Sequence, residues 1–160
     1  MRIRYSEIEP ESPKSIYSMM EYVKASGIEK SLINIIDIRA SQINRCAFCL
    51  DMHTQDARSL GESEQRINCI SVWNESPFYT KRERAALEFT EALTDLPRNG
   101  VSDDLYERVR REFNEHEYVA LVMAINVINC WNRLMIASGG TPGNYKNSEL
   151  AKSNPDFFSK

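Results

Sequence analysis

Residues 118–137 read YVALVMAINVINCWNRLMIA, and the reading of this run decides the fold class. As a helix it reaches membrane-spanning length. Asn126, Asn129, Asn132 and Arg133 interrupt it, however, and such groups are expensive in hydrocarbon. It therefore reads as a buried helix inside a helical protein. Asn114 is a candidate N-cap ahead of it, and Gly139-Gly140 is a candidate stop.

Working outward, Gly and Pro fall between segments of helical period. Ser12 is a candidate N-cap and Pro13 suits the first helical position of a helix to about Ser26, with Ile16, Met19, Met20 and Val23 on one face. Leu32, Ile35, Ile36, Ala40 and Ile43 predict a second helix from Glu29 to about Asn44. Its polar stripe is Asn34, Asp37 and Ser41. A third runs from about Cys46 to Leu60, and a fourth from Ser63 to Val72. Thr80 and Glu83 make a capping box for a fifth, and Ser102 caps a sixth ending near Phe113. No stretch has the period-two pattern of a strand. The expectation is an all-α fold of six to eight helices. Its expected organisation is an N-terminal helix and arm over 1–27, a core over 28–143 and a polar tail over 144–160.

Composition agrees. A chain of 160 residues is one domain by length. Six Gly and six Pro are few for a many-turned β-sandwich or barrel. A net charge of −3 argues against a nucleic-acid binder. Four Cys are too sparse for a secreted disulfide scaffold, and residues 1–13 lack the apolar core of a signal peptide. The expected setting is the reducing cytoplasm, with no membrane partner.

Cys46, Cys49 and His53 stand at i, i+3 and i+7, one face of a helix. Two cysteines so spaced at a helix N-terminus can cycle between dithiol and disulfide, because the terminal amides and dipole favour a thiolate. His53, one turn beyond Cys49, can take its proton. Arg45 adds positive potential. Zinc would want four ligands, and Cys69, Cys130 and His116 are too scattered to complete a set. A thioredoxin-like fold would need βαβ patterning around the motif. Cys69 and Cys130 read as core cysteines, His116 as a surface residue, and Lys81–Glu91 as a solvated helix face.

The segment 39–58, RASQINRCAFCLDMHTQDAR, resembles the core motif of the alkylhydroperoxidase D-like branch of the carboxymuconolactone decarboxylase family. Residues 73–91, with Ser76-Pro77-Phe78 and Arg82 to Leu87, resemble the next family block. Residues 126–142, with Trp131-Asn132-Arg133-Leu134, resemble the last. The resemblance implies an alkylhydroperoxidase D-like helical fold, homotrimeric or homohexameric. It implies cofactor-free, metal-free reduction of a hydroperoxide substrate, with a thiol reductant protein or small dithiol as partner. It makes Cys49 the attacking thiol, Cys46 the resolving one and His53 part of the proton relay. The helix dipole by itself favours Cys46 as the more acidic thiol.

One departure stands out. The family's relay Glu, twelve residues before the first Cys, is Asn34 here, and an amide accepts no proton at neutral pH. Asp37, a turn further along the same stripe, is the candidate substitute base. A His that some relatives carry between the cysteines is Phe48. The alternative reading is a weakly active or non-catalytic oligomer whose Cys pair acts as a redox sensor or disulfide oxidoreductase. Lactone decarboxylation ranks low, since true decarboxylases of the family generally lack the Cys pair. A second polar stripe, Asn126, Asn129 and Arg133, marks the long helix. Trp131, Met135, Ile136 and the Ile-rich second helix suggest more apolar surface than one chain covers.

Overall fold

The computed structural model describes residues 1–143. Among these it contains eight α-helices and no strand. They are α1 (Tyr5–Ile8), α2 (Ser12–Ala25), α3 (Lys30–Asn44), α4 (Ala47–Ser59), α5 (Glu64–Cys69), α6 (Lys81–Thr94), α7 (Asp103–Glu112) and α8 (Glu115–Ser138). A 3-10 turn, Ile70–Val72, follows α5. The expected tail 144–160 lies outside the described residues. The expected helices are all present; the four-residue α1 in the arm is an addition.

Local chemistry accounts for the boundaries. Capping boxes open α6 at Thr80/Glu83 and α8 at Asn114/Glu117. Ser102 accepts the Leu105 amide at the start of α7. Ser12 is not the cap of α2. Glu11 occupies that position without a side-chain bond, and Ser12 and Pro13 lie inside the first turn, where proline's missing N–H costs nothing. Gly139 ends α8 at φ 72°, with its amide on Ile136 and that of Gly140 on Met135. Arg45 ends α3 in the same way at φ 58°, the only non-glycine positive φ among the described residues. Its amide reaches Gln42, and the Cys46 amide reaches Ser41. This tight reversal leaves Cys46 as the residue that caps α4.

Two hydrophobic clusters share α3 and α8. The first joins α3, α5, α6, α7 and the N-terminal half of α8, with Ile36, Ile38, Leu87, Phe89, Val109 and Leu121 fully buried. The second joins α2, the start of α4 and the C-terminal half of α8 through Met20, Cys46, Cys49, Met52, Trp131 and Met135. By length and composition α8 could cross a membrane, but 56% of its apolar window is buried inside this chain. Trp131, Met135 and the α3 isoleucines Ile35, Ile36 and Ile38 are all covered within one chain. Of the residues expected to carry surplus apolar surface, Ile136 is 46% exposed and Ile33 and Ile43 are half-buried.

Lys81–Glu91 is not a solvated face. Arg82 pairs with Glu29 and Glu117 and stacks over Phe113. Glu83 pairs with Arg66, and Arg84 donates to the Ser76 carbonyl. Glu91 accepts from both Arg39 and the Trp73 indole. These half-buried charges staple α6 to its neighbours.

Candidate active site

Cys46 and Cys49 are joined in a disulfide, with their Cα atoms 5.4 Å apart, while Cys69 and Cys130 are free. Cys69 packs against the first cluster, half-buried. Cys130 is also only half-buried, because the side of α8 it shares with Asn126 and Arg133 turns outward; it is not a core cysteine. The Cys46 sulfur accepts the Cys49 amide at 3.4 Å, as a capping group does. The pair therefore sits at the positive end of α4, where a thiolate is favoured. Both cysteines are almost fully buried.

His53 follows Cys49 by one turn and is buried, its Nδ1 3.5 Å from Asp37 Oδ2 and 4.0 Å from Asp56 Oδ2. Burial lowers the His53 pKa to about 3. Burial, and then the Asp56 charge, raises that of Asp37 well above the usual carboxylate range. The two shifts are consistent. A carboxyl pushed toward its neutral form gives little help to an imidazolium, so His53 stays neutral at pH 7.

A cavity of about 530 Å³ opens beside this group. Side chains of the second cluster wall it, with Met20 and Val23 from α2, Phe48 and Met52 from α4, and Trp131 and Met135 from α8. Asn34, Asp37, His53 and Asp56 supply polar side chains to its lining. Asn34 is 8% exposed, and its side chain makes no hydrogen bond within the described residues. Such a size and lining suit a small organic ligand.

The two polar stripes have different fates. Asn34 and Asp37 line the cavity, whereas Ser41, on the same stripe, accepts from the Asn132 amide. On α8, Asn126 and Arg133 are exposed. The buried partners are Asn129 and Asn132, which bond Asn44, while Asn129 also donates to Thr94. The expected stripe of Asn126, Asn129 and Arg133 is thus replaced by a satisfied network of Ser41, Asn44, Thr94, Asn129 and Asn132. Sequence reasoning missed Asp56, though its place three residues after His53 on one helix was a usable signal. His116 is exposed, as expected. Among the described residues, no group of three or more His, Cys, Asp or Glu is arranged to hold a metal ion.

The model of the carboxymuconolactone decarboxylase family matches residues 10–92. The chain is 51% identical over 138 residues to the uncharacterized protein YdfG of Bacillus subtilis, covering 86% of this chain and 94% of that one. It is 43% identical to a crystal structure of an Agrobacterium tumefaciens protein of unknown function, described as a candidate antioxidant defence protein AhpD. That match has a TM-score of 0.85 and covers 89% of this chain and 97% of the other. The debrominase Bmp8, 18% identical at a TM-score of 0.76 over 96% of this chain and 80% of its own, shares the fold.

Proposed function

The chain belongs to the carboxymuconolactone decarboxylase family, in its alkylhydroperoxidase D-like branch, and from that premise we propose that it is a thiol-dependent hydroperoxide reductase of antioxidant defence in the cytoplasm. The observation that carries the reading is the Cys46–Cys49 pair at the head of α4, with His53 one turn on and in the wall of an apolar cavity.

In the reduced enzyme, His53 takes the Cys49 proton and the thiolate attacks the outer oxygen of the hydroperoxide. The O–O bond breaks, the alkoxide recovers the proton from His53 and leaves as an alcohol, and Cys49 becomes a sulfenic acid. Cys46 then attacks the Cys49 sulfur. The S–S bond forms, the S–O bond breaks, and the Cys46 proton leaves with hydroxide as water. A thiol reductant protein or small dithiol returns two electrons, so the cycle needs no cofactor. Asp37 orients the imidazole through Nδ1. The Asn34 amide accepts no proton and instead holds the peroxide or a water by hydrogen bonds.

Asn34 also favours a second reading, a redox sensor or disulfide oxidoreductase in which the pair cycles without peroxidase turnover. Peroxide consumption with a dithiol reductant separates the two. Wild type turns over. Cys49→Ser does not, and Cys46→Ser stops after one equivalent with a trappable sulfenic acid. Asn34→Glu raises turnover roughly 10-fold or more, since general-base assistance is commonly worth more than that, and Asp37→Asn lowers it. No consumption by wild type, or full consumption by Cys49→Ser, overturns the proposal. The branch also supports a homotrimer or homohexamer, which light scattering tests.

A further inference from the structure

The residues lining the cavity fall into two sets by exposure. Met20, Asn34, Phe48, Met52, His53 and Trp131 are buried and form the wall, whereas Lys24, Lys30, Ser59 and Leu60 are exposed and form the mouth. The charge at this mouth is unusual for the molecule. The whole chain carries −3, and the described residues include only four lysines, Lys14, Lys24, Lys30 and Lys81. Two of the four stand at this one opening, and among the described residues no ion pair engages either of them. Lys30 is also the first residue of the fifteen-residue α3, whose N-cap position, Glu29, supplies no side-chain cap. The partial positive charge of that terminus adds to the lysines. On the other side, Asp56 contributes one negative charge, while the raised pKa of Asp37 reduces its share.

One turn into α3 from this terminus, Asn34 projects into the cavity, 92% buried and without a hydrogen-bond partner within the described residues. Its amide atoms are open to the cavity and not sealed in the core, so a donor and an acceptor are available there to a ligand. Along α3, Lys30 and Asp37 are seven residues apart, ~10 Å of helix rise. An anionic group at the mouth and a reacting group beside His53 are thus separated by the length of a medium alkyl chain.

We propose that the site selects an amphipathic anion, a hydroperoxide on an apolar chain that ends in a carboxylate. The carboxylate sits at Lys24 and Lys30, the chain lies against Met20, Met52 and Trp131, and the peroxide oxygens lie between Asn34 and His53. The hydroperoxide part rests on the peroxidase reading above; the carboxylate and the chain rest on the cavity alone.

The test therefore starts with binding, which needs no turnover. Calorimetric titration of the oxidised protein with decanoate and with decan-1-ol compares the same chain with and without the charge. Decanoate binds roughly 10-fold tighter, and the Lys24→Gln/Lys30→Gln double variant loses that margin while binding the alcohol as before, as two partly screened ion pairs would give. Equal binding of acid and alcohol, or an unchanged margin in the variant, overturns the proposal. Linoleate hydroperoxide and its methyl ester then serve as substrates. Preference for the free acid in kcat/KM, lost in the double variant with kcat kept, supports the full statement. Binding discrimination without consumption of either peroxide refutes the peroxidase reading and leaves the amphipathic anion as ligand.

Discussion

The two hydrophobic clusters share α3 and α8 but are built from different side chains. The first is close-packed Ile, Leu, Phe and Ala, with Ile36, Leu87, Phe89 and Val109 at 0% exposure. Ion pairs fence it, with Arg39 on Glu91, Arg66 on Glu62 and Glu83, and Arg82 on Glu29 and Glu117. The second holds or touches Met19, Met20, Met52, Met123 and Met135, five of the six methionines, together with Trp131 and the disulfide-bonded Cys46 and Cys49. Methionine is flexible and polarisable and adapts to irregular space. The cavity lies against this second cluster. One half of the molecule is a rigid frame, and the other is an adaptable chamber in which a ligand can replace missing packing.

The sharpest way to break that comparison is to truncate one side chain in each half. Leu87→Ala removes a fully buried side chain from a region that cannot collapse, and is expected to cost ~3–4 kcal/mol. Met52→Ala only enlarges an existing cavity, and is expected to cost about 1–2 kcal/mol. Denaturant unfolding of both variants decides it. Equal losses would mean that the chamber is as tightly determined as the frame.

A smaller effect separates the charges. Arg82 is 25% exposed, pairs with two carboxylates and lies 4.0 Å above the Phe113 ring centroid. Its loss removes the ion-pair partner that Glu29 and Glu117 share and uncovers the ring, so Arg82→Gln is expected to cost ~1–3 kcal/mol. Lys30→Gln at the cavity mouth is expected to change stability by less than ~0.5 kcal/mol, as a surface charge held for a ligand should. A large loss at Lys30 would make it part of the frame.

The same division explains what the sequence made legible. Caps, stops and apolar period are local, so the helices of both halves could be read, and so could Cys46, Cys49 and His53 on one face. Asn34 and Asp37 were legible as a stripe, and both line the cavity. Arg82, Glu83 and Arg84 were not legible as staples. A charge run looks the same whether it faces water or a neighbouring helix, and only packing of α6 against α3, α7 and α8 reveals which. The same holds on α8, where Asn126 and Asn129 are three residues apart, yet one is exposed and the other bonded to Asn44 and Thr94. Covered surface was misjudged at Trp131 because the arm before α3 supplies Met20, whose sulfur accepts the indole N–H at 3.0 Å.

The smallest expected effect concerns Asp56, the carboxylate that sequence reasoning missed. The groups facing the His53–Asp37 pair are Asp56 on the same helix as His53, Lys24 from α2 and Lys30 from α3; α8 presents apolar side chains. With the imidazole neutral down to about pH 3, acidification titrates Asp37 first, because its pKa is raised. Above that pKa the ionised Asp37 accepts Nδ1–H, leaving Nε2 as a base. Below it the carboxyl donates to Nδ1, and Nε2 carries the proton and can no longer take one. The Asp56 charge raises the Asp37 pKa. Asp56→Asn removes a like charge, so the switch moves to lower pH. The oxidised protein isolates this step, since disulfide-bonded Cys46 and Cys49 do not titrate. Nitrogen-15 shifts of the His53 ring should report one tautomer giving way to the other, at lower pH in Asp56→Asn and not at all in Asp37→Asn. An unmoved transition in Asp56→Asn would leave Asp56 out of the relay. A transition that survives Asp37→Asn would assign the titration to another group and break the pairing on which the chamber's acid–base chemistry is built.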